Sequence, residues 1–292
     1  MYMISPLVDI GGKSSVKSMI ARVARLPVQG TILPKLQRML SEPDSNVDEV
    51  LDMIKLDPGL IGRVLRRSNS AAFSAGYRIG SIEEAVARIG YHEVNRLLLE
   101  SVTHRLLARP LRCYGLAPGV IWRASLVCAF AMEILAEHTS RSQDTAYTLG
   151  LLHAVGMIVI GHEMEAERVS RPILGNPFKT GLGERERERF GYDHAEIGAE
   201  LLKFWEFPRA MVASVRYQLN PTLCRTAPKL ACLLSLARWV RNRICAETGW
   251  GSLDAPDPFL MKLAKLDEDG LNQLCVEVEA RLDAAENLAS GW

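Results

Sequence analysis

The sequence predicts an all-α protein built from two packed helical subdomains. Three observations carry this reading: apolar residues recur at three- and four-residue spacing, capping signals open several of those runs, and no strand-like alternation interrupts the first half. At 292 residues, 48% hydrophobic and 24% charged, the chain can bury a large core without disulfides or metal.

Residues 1–15 carry Gly11-Gly12 and Ser14-Ser15 and are expected to form a loose arm. An N-terminal subdomain is expected over 16–113. Val16, Met19, Ile20 and Val23 share a helical face that ends at Leu26-Pro27, and a short helix follows over Leu33–Leu40. Val47, Val50, Leu51 and Ile54 form the next stripe, and Asp57-Pro58 restarts a helix carrying Leu60, Ile61, Val64 and Leu65. Asn69-Ser70 ends it. Ser81 and Glu84 form a capping-box pattern before Ile82, Ala85, Val86 and Ile89, with Gly90 as the stop.

A second subdomain is expected over 114–250, opened by Pro118 and a helix whose Trp122, Leu126, Phe130 and Ile134 repeat every fourth position. A buried central helix is expected from Asp144 to about Glu163. Its uncharged part, Ala146–Gly161, is shorter than the roughly 18–20 residues of a membrane span. The acid–base alternation of Glu184–Arg189 reads as a solvated face. Asp193 can cap a helix with Ile197, Leu201, Leu202 and Trp205, and further helices follow to Ala246. Residues 251–292 read as a helical extension.

The net charge of +1 gives no long-range attraction for nucleic acid or an anionic membrane. Six cysteines form no C-x-x-C pair and read as reduced thiols of a cytoplasmic protein. The N-terminus lacks a secretory pattern. There is no G-x-S-x-G elbow and no Walker loop.

The order of several segments resembles the HDOD domain, a helical relative of HD phosphohydrolases found in bacterial signalling proteins. Leu26-Pro27, Ile54 through Asp57-Pro58-x-Leu60, Val64-Leu65-x-x-Ser68-Asn69-Ser70 and Ser81-Ile82-x-x-Ala85-x-x-x-x-Gly90 match its first half. Gly150-Leu151-Leu152-His153-x-x-Gly156, then Phe190-Gly191-x-Asp193-His194-Ala195-Glu196-Ile197-Gly198-Ala199, then Trp205-x-x-Pro208 match its second. The resemblance covers about Leu26 to Arg241.

An active HD site holds divalent metal on imidazoles and carboxylates to activate water. The resemblance places those ligands at positions that here read Ala124, His153-Ala154, Tyr217-Gln218 and Ala237-Arg238. Four expected positions lack a ligand. His153, His194 and neighbouring Asp193 remain, and Arg238 would repel a cation. No metal, cofactor or catalytic residue is therefore expected.

His153 reads first as a core histidine bonded to a nearby carbonyl or hydroxyl, His194 as part of a helix start, and Asn69-Ser70 as a helix-ending turn. His153, Asp193, His194 and Arg238 stand as candidates for a degenerate cleft. Asn69, Ser70, Arg241 and Arg243 stand as candidate partner contacts; Arg238, Arg241 and Arg243 around Trp239 also read as a solvated helix end. His92, His104, His138 and His162 share no site-like spacing. The expected function is a non-enzymatic signalling module. Its partners would be signalling proteins on separate chains, of regulator, kinase or cyclic-dinucleotide enzyme type, without nucleic acid or membrane. A residual phosphohydrolase and a metal-free nucleotide sensor are the alternatives.

Overall fold

The structure is a computed structural model that describes residues 19–20, 51, 54–55, 58–73, 76–139, 142–166, 172, 174, 181–245 and 255–289. The expected arm over 1–15, the Leu33–Leu40 helix and the boundary at 250 lie outside them. Among the described residues the fold is all-α, and the one extended pairing is an antiparallel bridge between Leu111 and Leu116.

Helix α1, Pro58–Ser68, starts on a proline whose missing N–H costs nothing in a first turn. Leu60 and Val64 bury it against α2, Ile82–Leu107. Ser81 caps α2 by accepting from the Glu84 amide at 3.2 Å. Gly90 adopts φ 80° and ψ 161°, so the expected stop is a kink across which helix resumes.

Helix α3, Val120–His138, is buried on every side from Ala124 to Ala136, so the four-residue stripe understates it. It packs most extensively on α4, Gln143–Leu152, and next on α9, Pro228–Ile244. The long central helix expected over 144–163 is in fact two. The chain turns at His153-Ala154 and resumes as α5, Val155–Ala166. Residues 143–166 are apolar enough to cross a membrane, but 89% of their most apolar window is buried inside the fold.

Helix α6, Leu182–Phe190, leads through Gly191 to α7, His194–Phe204, which lies on α5 and on α8, Arg209–Arg216. Helix α10, Pro258–Ala264, packs on α9. Helix α11, Glu268–Ala289, returns across α3 and α1 and buries Leu271, Leu274, Val278 and Leu282. One apolar cluster runs from Leu60 in α1 to Leu282 in α11.

Candidate functional site

Two glycines set the geometry around His153. A Cβ on Gly150 would lie 2.6 Å from the Ala129 Cα and the Cys128 carbonyl, so α4 presses directly on the α3 backbone. A Cβ on Gly156 would lie 1.8 Å from the His194 carbonyl oxygen, so the starts of α5 and α7 touch. His153 sits at the corner between these contacts and is buried.

Both ring nitrogens of His153 are engaged. The His153 ring Nδ1 lies 2.6 Å from the Gly150 carbonyl oxygen, and Nε2 lies 2.6 Å from Nη1 of Arg241. A carbonyl only accepts and a guanidinium only donates, which fixes the neutral ring with its proton on Nδ1 and its Nε2 lone pair on Arg241. Burial, followed by the Arg241 charge, holds His153 well below the usual histidine range. Gln218 donates from Nε2 to the His153 carbonyl at 2.9 Å, and Arg238 donates from Nη1 to the Gln218 carbonyl at 2.6 Å. Arg238 is itself pulled down to about 9 by burial and then by Arg241.

His194 lies on a second, separate set of partners. Its Nδ1 and its backbone amide meet the same Glu186 carboxylate oxygen at 2.6 and 2.9 Å, and Tyr114 donates to the other oxygen at 2.6 Å. Burial pushes the Glu186 carboxyl up, but His194 and Tyr114 outweigh it and hold the group below its usual range. Asp193 is fully buried as the cap of α7: Oδ1 accepts from the Glu196 amide at 2.7 Å, Glu196 accepts from the Asp193 amide at 3.0 Å, and Oδ2 pairs with Arg187.

These placements correct two expectations. Glu184–Arg189 is not wholly a solvated face, because Glu186 is fully buried. The signal was present in the spacing, since Leu182, Glu186 and Phe190 are four apart and all face the core. Arg241 is no surface contact: it is buried on His153. Arg243 does lie outward, 5.8 Å from the Trp239 ring, with Nη2 3.4 Å from Asn272 Oδ1. Asn69 holds a turn, giving Nδ2 to the Leu65 and Ile79 carbonyls and accepting from the Ile79 amide, while Ser70 bonds the Arg67 carbonyl.

A divalent metal does not fit the residues at this corner. The Nε2 that would ligate is committed to a guanidinium, Ala124 and Ala154 offer only methyl groups, and Gln218 and Arg238 brace the backbone instead. Nor is there, among the described residues, a group of three or more His, Cys, Asp or Glu side chains placed to hold an ion.

The HDOD domain model matches residues 26–221. The chain belongs to the HDOD domain family. This HDOD chain is 26% identical over 215 residues to an uncharacterised protein of Treponema pallidum, covering 70% of this chain and 39% of that one. It is 25% identical over 150 residues to the uncharacterised protein YuxH of Bacillus subtilis, covering 51% and 34%. It thus spans little more than a third of the length of these relatives. Among solved structures, a candidate phosphohydrolase of Shewanella amazonensis matches at TM-score 0.62 and 25% identity, over 92% of this chain and 94% of that one. An HDOD domain protein of unknown function from Geobacter sulfurreducens matches at 0.62 and 23%, over 94% and 95%.

Proposed function

We propose that this HDOD chain is a non-enzymatic module of bacterial signal transduction that works by docking proteins on separate chains, in two-component or cyclic-dinucleotide signalling. The observation that carries the non-catalytic half is the Arg241 guanidinium on His153 Nε2. That contact turns the remaining imidazole of the HD-type doublet into a structural acceptor. Arg238 beside it adds a second cation where a metal would need negative or neutral donors. Support for the signalling half comes from family membership and from the fold shared with a candidate signal transduction protein of Marinobacter aquaeolei, at TM-score 0.71 and 22% identity over 94% of this chain and 64% of that one.

Elemental analysis of purified protein, joined to turnover assays on cyclic dinucleotides and nucleotides, tests the first half. The expected outcome is substoichiometric metal and no turnover. Stoichiometric metal with turnover abolished by His153→Ala overturns it. Affinity capture from the native host tests the second half, with a signalling protein expected as the retained species.

A further inference from the structure

A cavity of about 590 Å³ opens away from the His153 corner, where α1, α2, α3 and α11 meet. Its volume falls in the range of small-molecule sites, roughly 300–1,000 Å³. Arg63, Arg66, Arg67, Arg96, Arg105 and Arg281 line it against three glutamates, an excess of three positive charges. Glu133, buried beneath, offsets one of these by bridging Arg96 and Arg281 at 2.8 Å each. The floor is apolar, with Leu97, Leu126 and Phe130.

At one side stand two rings, His104 and Trp122, perpendicular and 5.1 Å apart. Burial, then Arg63 and Arg105, hold His104 below its usual range, and both arginines line the cavity together with His104 and Trp122. Arg67 is fixed by Glu93 at 2.5 Å, and Arg96 lies over the Tyr147 ring at 4.1 Å. A whole chain of charge +1 has thus concentrated cations around one half-enclosed space beside aromatic surface. Guanidinium forks match phosphate oxygens, and a flat ring matches Trp122.

We infer that this cavity binds a nucleotide, with phosphates on Arg63 and Arg105 and the base against Trp122. The inference stands apart from the reading of the cleft, because Gly150, Gln218 and Arg241, the hydrogen-bond partners of His153, are not among the residues that line the cavity. A ligand seated there would contact α1, α2, α3 and α11 together and could tune docking through their packing.

The test is calorimetric titration of the full chain with GTP and ATP in the presence of EDTA, which silences metal-dependent turnover. Guanosine and pyrophosphate serve as half-ligands. Saturable binding of a nucleotide is expected, tighter than either half-ligand and weakened about tenfold or more in an Arg63→Glu, Arg105→Glu double variant. Trp122→Leu should weaken nucleotide and guanosine but not pyrophosphate. Thermal melting verifies that each variant folds, and the double variant, which alters half-buried and exposed side chains, suffices if Trp122→Leu does not. No saturable binding at millimolar nucleotide, binding unchanged in the double variant, or pyrophosphate binding as tightly as GTP would each overturn the inference.

Discussion

At the residue scale, His153 makes the folded chain refuse a proton that the unfolded chain accepts. Its folded pKa is depressed well below the ordinary histidine value of 6.5, so its contribution is present above that value and is lost as pH falls below it. Stability should therefore decline below about pH 6.5, with a slope of at most ~1.4 kcal/mol per pH unit from this group. Glu186 acts in a lower window, since its depressed pKa costs stability only below 4.5. Urea midpoints between pH 5 and 7 should show the histidine limb, and His153→Gln should flatten it. At neutral pH, His153→Ala removes the acceptor for Arg241 and leaves a void, and should cost about 2–4 kcal/mol by urea denaturation.

At the element scale, the close crossings decide which substitutions the helices tolerate. Gly156→Ala would drive a methyl into the His194 carbonyl, and both groups belong to helix starts that cannot yield independently. A loss of roughly 3 kcal/mol or more is expected, read as a lowered melting temperature. The existence of most described helices was legible because periodicity and capping agreed, as at Ser81 and Asp193. The break at His153-Ala154 was not, because an uncharged apolar run has the same composition whether it bends or continues. The cleft was half legible: absent ligands could be read from single positions. The partners that replaced them, Arg241 from α9 and Glu186 from α6, lie 88 and 8 residues from the histidines they hold.

At the scale of the whole molecule, the continuous core predicts a cooperative transition with a built-in reporter. All six cysteines are buried, and burial pushes Cys113 and Cys128 up to about 12. Thiol titration with an aromatic disulfide should find them unreactive in the native state and released together across the urea transition. Truncation after Lys265 removes α11 and uncovers the α3 and α1 surfaces beneath it, and should lower the melting temperature by roughly 5 °C or more. The arginines at the His153 corner also limit what a single substitution can do. Replacing Ala154 by aspartate would restore the doublet in letters only, because His153 Nε2 would still face Arg241 and position 124 would still offer a methyl. No such single change builds a metal site, because His153 Nε2 stays on the Arg241 guanidinium until Arg241 itself is replaced.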